Sequence, residues 1–311
     1  MFSVPILVIT YHRVETAHNL FQVLKKIQPE RLYVAGDGGA PTDKNDFRLC
    51  LKARCVFMPD WPCKLNTMFL DEHLGKAKMF VKAMNWFFEQ EEEGIILFDD
   101  AFPHIDFFQF CQQMLDTYRD DLRIGHIGAT NVLKKESKDA NSYYFSAYPS
   151  TWGFATWKNR FSGFDLNMRD LDTIDLKEIL SQYTLKRKVR SFWIRNFRIL
   201  QNGQYNVWEY QYIYHIWKNG FLCIVPNVNL VQNTSFQTKK RKLRKLNRPL
   251  KAILPLKMNL DVVQNADADQ FVFRKYYRRD VFAVIANWLK TNLLLVEDGA
   301  QVITSTKKIA H

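Results

Sequence analysis

Two adjacent carboxylates, Asp99 and Asp100, follow directly on the apolar run Ile95-Ile96-Leu97-Phe98. Such a run has no polar face and fits a strand buried on both sides, as in a parallel sheet. In an open α/β sheet, ligands bind in the crevice beyond the C-terminal strand ends. Two acids there suit a hard cation that also holds a phosphate. The same pair could equally cap the following helix and favour its N-terminal dipole. That helix is predicted from Phe107, Phe108, Phe110, Cys111, Met114 and Leu115 at helical spacing, with Pro103 near its first turn.

The elements that must position these acids can be read along the chain. Strands are expected at 6–10 and 31–36, the second ending in the turn signal Asp37-Gly38-Gly39, and a short third strand at 56–58. Helices are expected at 15–27 and 74–90, the latter closed by an acidic run at 89–93 that reads as solvated surface. A further strand is predicted near 124–127, then a polar loop at 131–141, helices within 171–202, a helix at 209–218 and a strand at 221–225. Strands alternating with helices imply right-handed crossovers and a parallel sheet. The aromatic stretch at 143–157 fits a carbohydrate wall, where rings stack on sugar faces, or an aromatic core under a long loop.

Length and charge set bounds. The 311 residues suffice for one large α/β domain with an appendage, or for two domains. No apolar run reaches the length needed to span a bilayer, and the start lacks the basic segment of a signal peptide. The five cysteines are odd in number and form no CxxC pair, which suits a reduced, cytoplasmic setting. Cys50, Cys55, Cys63 and His73 match no usual zinc spacing. Of the net charge of +12, residues 236–311 carry +10, from 16 Lys+Arg against 6 Asp+Glu. This split places a boundary near 235, between a domain at 1–235 and a basic, helical C-terminal extension at 236–311. The charge lies in one tail without a nucleic-acid motif, which argues against nucleic acid as a partner. Eight basic residues at 239–251 precede a partly amphipathic stretch at 281–296 containing Trp288. That order suits peripheral contact with an anionic membrane at the inner leaflet, or packing on the rest of the chain.

Six ordered blocks carry a family resemblance. Thr10-Tyr11-His12-Arg13 and Ala35-Gly36-Asp37-Gly38 end the first two strands. Leu97-Phe98-Asp99-Asp100, Trp152-Gly153-Phe154-Ala155-Thr156-Trp157, Trp208-Glu209-Tyr210-Gln211 and Pro226-Asn227-Val228-Asn229-Leu230-Val231 follow in order. Together, over about residues 4–235, they resemble bacterial glycosyltransferases of the GT-A class near family 2. The resemblance implies an α/β fold with a GT-A-like (Rossmann-like), mostly parallel sheet flanked by helices. It implies a UDP- or GDP-linked sugar donor and a glycan or lipid-linked acceptor. Thr10, Tyr11, Arg13, Asp37 and Gly38 would hold the nucleotide, with Asp37 accepting from a pyrimidine ring N–H. Asp100 would ligate Mn²⁺ or Mg²⁺ on the diphosphate, with Asp99 beside it. Trp152, Gly153, Trp157 and Trp208 would form the acceptor or sugar pocket. Glu209 stands at the position of the base in an inverting transfer; its other reading is an acid stabilised at a helix start.

The sequence also departs from the family. Phe98 holds a position where the family usually has an acid, and phenylalanine binds neither ribose nor metal. The glycine-rich, Asp- and His-containing stretch expected after Val231 is replaced by Gln232-Asn233-Thr234-Ser235-Phe236-Gln237-Thr238. These departures keep a second expectation in view, a non-catalytic relative that binds nucleotide sugar or glycan.

Overall fold

The computed structural model describes residues 1–41, 43–133, 141–201, 207–234, 250–259 and 261–277. The first half runs β1 (Ile6–Thr10), α1 (Val14–Ile27), β2 (Arg31–Gly36), α2 (Lys44–Cys55), β3 (Lys64–Phe69), α3 (Lys76–Phe88), β4 (Glu93–Phe98), β5 (Ala101–Pro103), α4 (Asp106–Tyr118) and β6 (Ile124–Gly128). The second runs β7 (Tyr143–Ser146), β8 (Gly153–Trp157), α5 (Lys158–Phe161), α6 (Leu176–Tyr183), α7 (Arg187–Leu200), α8 (Glu209–Lys218), β9 (Leu222–Pro226), β10 (Val231–Asn233) and α9 (Ala266–Val272), closed by a π-helical turn at Phe273–Tyr277.

The eight-stranded sheet has the order β3-β2-β1-β4-β8-β6-β9-β7. Strands β3, β2, β1 and β4 pair in parallel, β8 runs antiparallel between β4 and β6, and β7 runs antiparallel to β9. Because β6 and β9 pair in parallel, only β8 and β7 oppose the common direction. This is a Rossmann-like, mostly parallel sheet flanked by helices.

Alternation along β1 creates two cores, because successive side chains of a strand face opposite sides. Ile6 and Val8 join Leu32, Val34, Ile95 and Leu97 under α1 and α4. Leu7 and Ile9 join Tyr33, Ala35, Ile96 and Phe154 under α3, α7 and α8. Ile95, Ile96 and Leu97 are all fully buried, worth roughly 1.5–3 kcal/mol each.

Register then fixes the site. Thr10 pairs with Gly36 and Ile9 with Phe98, so Tyr11, Asp37 and Asp99 leave the sheet side by side. The N–H of Asp37 donates to Thr10 O at 3.2 Å, and that of Asp99 donates to Ile9 O at 3.0 Å.

Several expectations need correction. Residues 56–58 are not a strand. Val56 continues the turn of α2, donating to Ala53 O, and the third strand is β3 at the sheet edge. Pro103 does not open a helix. It ends β5, which pairs antiparallel with β10, and α4 begins only at Asp106. Glu91 of the acidic run is buried, because Arg31 and Tyr33 of β2 donate to it at 2.5 and 2.7 Å. The aromatic stretch is chiefly core: Tyr143, Tyr144, Phe145, Phe154 and Trp157 are buried on β7 and β8.

Past the boundary expected near 235, residues 250–259 and 261–277 lie on the sheet domain. Lys251 N donates to Asn229 O, Asn265 N to Phe145 O, and buried Asp269 accepts from Ala147 N at 2.9 Å. Most of the basic run at 239–251 and all of the stretch at 281–296 lie outside the described residues. Among those described, no helix is long and apolar enough to cross a membrane.

Candidate functional site

A cleft of about 440 Å³ opens beyond the ends of β1, β2 and β4. It gathers Thr10, Tyr11, Arg13, Asp37, Asp99 and Asp100 from the strand ends, and Trp152, Trp208 and Glu209 from the second half of the chain. Three helices begin at its rim: α1 after Arg13, α3 at Lys76 and α8 at Glu209. Their N-terminal dipole ends make this rim favourable to an anion.

Asp99 is the buried centre. Its Oδ2 accepts from Thr10 Oγ1 at 3.1 Å and from Tyr11 N at 2.8 Å. Arg13 Nη1 lies 3.3 Å from Asp99 Oδ1 and 2.9 Å from Asp100 Oδ2, bridging both acids. Burial pushes the Asp99 carboxyl above its ordinary value; the Arg13 charge opposes this and the Asp100 charge adds to it.

Asp37 is engaged mainly by backbone, with His73 Nδ1 also 3.0 Å from its Oδ2. Its Oδ1 accepts from Gly38 N at 3.0 Å and Leu74 N at 2.8 Å, and its Oδ2 from Gly75 N at 2.9 Å. The carboxylate thus pins the end of β2 to the start of α3, as a capping acid does. Gly38 serves the same junction: a Cβ there would lie 2.4 Å from the backbone carbon of Glu72.

The sequence reading missed Asp46, buried on α2. It accepts from the Tyr11 hydroxyl, from Ala40 N at 2.7 Å, and meets His12 Nδ1 at 2.5 Å. Burial and the Asp46 carboxylate raise the Tyr11 pKa. The Tyr11 ring is flanked by those of His12 and His73, at 4.1 and 5.0 Å between centroids. No local signal marks Asp46, since each of these partners is brought by the fold.

On the opposite wall, Glu209 pairs with Lys76, and its Oε2 accepts from Trp208 N at 3.1 Å. Burial pushes the Glu209 carboxyl up. The Lys76 charge and hydrogen bond outweigh this, holding it below the ordinary carboxylate value. Trp208 stacks on Phe80 at 3.7 Å and on Phe98 at 5.8 Å. Phe98 is therefore a member of an aromatic stack that lines the cleft. The Trp208 Nε1 and both ends of the Gln211 amide are buried without a protein partner among the described residues.

Two sequence-predicted pocket residues are placed differently. Trp157 pairs with Glu93 at the far end of β4, roughly 13 Å along the strand from the site, with Arg160 4.9 Å over its ring. It is a core residue. Gly153 lies behind the cleft, where an added Cβ would meet Leu97 Cδ2 at 3.1 Å.

Asp99 and Asp100 are the adjacent carboxylates that could offer oxygen to the expected Mn²⁺ or Mg²⁺. Mg²⁺ takes about six oxygens at about 2.1 Å, several of them usually waters or substrate phosphates. Phe98 offers none, and both acids already face a guanidinium nitrogen. Among the described residues, no three His, Cys, Asp or Glu side chains converge.

No protein-family profile matches the chain, and no curated protein matches it in sequence. Among solved structures it is similar to HddC from Yersinia pseudotuberculosis, at 11% identity over 56% of this chain and 87% of that one, with a TM-score of 0.31. It is also similar to 4-diphosphocytidyl-2C-methyl-D-erythritol synthase from Anaerococcus prevotii, at 7% identity over 61% and 82%, with a TM-score of 0.33. A UDP-glucose pyrophosphorylase complexed with UDP-glucose gives 6% identity over 74% and 93%, with a TM-score of 0.36. Overlaps this loose bear on no residue of the cleft.

Proposed function

We propose that this protein is a GT-A-like glycosyltransferase that moves a sugar from a UDP- or GDP-linked donor onto a glycan or lipid-linked acceptor. The observation that carries this reading is the convergence of nine sequence-predicted site residues on one cleft at the C-terminal edge of the sheet. The diphosphate binds among Arg13, Lys76 and the starts of α1, α3 and α8. Tyr11, braced by Asp46, His12 and His73, offers its ring to the base. The sugar lies against Trp208 and Phe98.

Glu209 acts as the base. As the acceptor oxygen forms its bond to the anomeric carbon, the proton of that hydroxyl passes to the Glu209 carboxylate. The bond from the anomeric carbon to the phosphate oxygen breaks, and the nucleoside diphosphate leaves with the electron pair. Attack opposite the leaving group inverts the configuration. The position of Lys76 keeps Glu209 ionised and ready to accept a proton.

The second reading is a non-catalytic relative, favoured by Phe98 within the aromatic stack and by the Glu209–Lys76 pair. A panel of UDP- and GDP-sugars with simple glycan acceptors separates the two. Transfer that falls on the order of 10²–10⁴-fold in Glu209→Gln, with nucleotide binding kept, supports the enzyme. Nucleotide binding without turnover in the native chain supports the relative. We also propose, from sequence alone, that the basic extension contacts anionic membrane; sedimentation with phosphatidylglycerol vesicles at low and high salt tests this.

A further inference from the structure

We propose that Arg13 supplies the fixed positive charge that the family resemblance assigns to a divalent ion, so that a nucleoside diphosphate binds here without metal. This rests on reading the cleft as a nucleotide-sugar site.

Three observations carry it. First, one guanidinium nitrogen lies within 3.3 Å of both acids, so the cation sits where an ion bridging them would sit. Second, Arg13 is held in place. Thr10 Oγ1 and Tyr11 N orient Asp99, which with Asp100 orients the guanidinium at the entrance of α1. A cation preorganised this way need not be reorganised when its anion arrives. Third, the contacts named above use a single nitrogen of a group with five N–H donors, and the side chain remains 45% exposed. That leaves capacity for the paired hydrogen bonds by which arginine recognises phosphate.

Asp37 is engaged by backbone N–H groups at the start of α3 and by His73 Nδ1, and Glu209 pairs with Lys76. Asp99 and Asp100 share Arg13, which offsets one of their two charges, so the remaining Arg13 donors and the helix N-termini at the rim carry the attraction for the anion. Replacement of the family's acid by Phe98 removes an oxygen that would have met the ribose or the shell of an ion, and costs a guanidinium nothing.

Calorimetry of the full chain with UDP and with GDP tests this, in EDTA and in Mn²⁺. We expect binding in EDTA within about threefold of that in Mn²⁺. Arg13→Ala should weaken it roughly ten- to a hundredfold, and Arg13→Lys less, since a charge-assisted hydrogen bond is lost in the first and partly kept in the second. Asp100→Ala should weaken it less than Arg13→Ala. Thermal melts of each variant confirm that the fold persists, with Arg13→Lys as the control should Arg13→Ala unfold. Binding that vanishes in EDTA and returns with Mn²⁺ overturns the role of Arg13 and leaves the nucleotide site intact. Absence of binding by both nucleotides under both conditions overturns the nucleotide site and this inference with it.

Discussion

The two walls of the cleft differ in how their polar atoms are engaged. On the strand-end wall, Asp37, Asp46 and Asp99 each hold three or more donors, several of them backbone N–H groups. On the aromatic wall, Trp208, Phe98 and Phe80 stack, while the Trp208 Nε1 and the Gln211 amide have no protein partner among the described residues. The first wall offers a ligand fixed charge and fixed shape. The second offers chiefly the partly exposed Phe98 ring, backed by the buried Trp208 and Phe80, and its contribution depends on area and offset stacking rather than on one geometry. On the proposed function, recognition of the charged diphosphate would fall to the first wall and discrimination among sugars to the second.

The strongest test of this contrast is Asp99→Ala. It strands Thr10 Oγ1 and Tyr11 N while Arg13 keeps Asp100, and should cost about 1–3 kcal/mol for each stranded buried donor in urea unfolding. A cost below about 1 kcal/mol would mean that the strand-end wall is not committed as described.

Next in size is a pH effect behind the aromatic wall. Burial lowers the His126 pKa to about 3 and the His215 pKa to about 4, although backbone carbonyl contacts oppose it in both. Both are neutral when folded, whereas the unfolded chain protonates them near 6.5. Between about pH 6.5 and 4 the unfolded state binds more protons, so stability falls as pH falls, by up to about 1.4 kcal/mol per unit per histidine. Unfolding at pH 7, 6 and 5 should show this slope, and His126→Gln should reduce it. A flat profile would place these rings in contact with water.

Phe98→Glu is expected to cost about 1–2 kcal/mol, from lost stacking and a carboxylate set among rings. The melting temperature should drop with no gain in UDP affinity. Tighter nucleotide binding instead would show that the aromatic wall still accommodates the family's acid.

The smallest change in stability should come from Lys76→Met, within about 0.5 kcal/mol because the lysine is 53% exposed. Its readout is elsewhere. Without the Lys76 charge and hydrogen bond, only the backbone N–H contacts oppose burial, so the Glu209 pKa rises and the acidic limb of a pH–rate profile moves up. An unmoved limb would remove Glu209 from the proton transfer.

Much of the strand-end wall was legible in the sequence, because strongly apolar runs at 6–10, 31–36 and 95–98 stop abruptly at polar residues that parallel register then aligns. Three of the elements that were not legible show why, each for its own reason. Strand β3 is an edge, so its residues alternate weakly in burial and carry little apolar pattern. Helix α2 buries only Asp46, Cys50 and Ala53 at helical spacing, too few large apolar groups to announce a face. Strand β5 exists through its pairing with β10, a tertiary event invisible to local propensity. Trp157 was misplaced because a motif gives order along the chain, whereas a strand of five residues separates its two ends by the depth of the sheet.

That β5–β10 pairing has a consequence in time. Asn233 pairs with Ala101, and both Thr234 N and Thr234 Oγ1 donate to Asp100 O, at 2.8 and 2.9 Å. The turn that carries the acids is therefore closed by a segment made roughly 130 residues later. At about 5–20 residues per second, a ribosome needs on the order of ten seconds to cross that interval. A nascent chain arrested before Val231 carries every strand end and both acids, yet lacks the strand that locks them. Protection from protease by nucleotide should first appear in chains long enough for Thr234 to have left the ribosome.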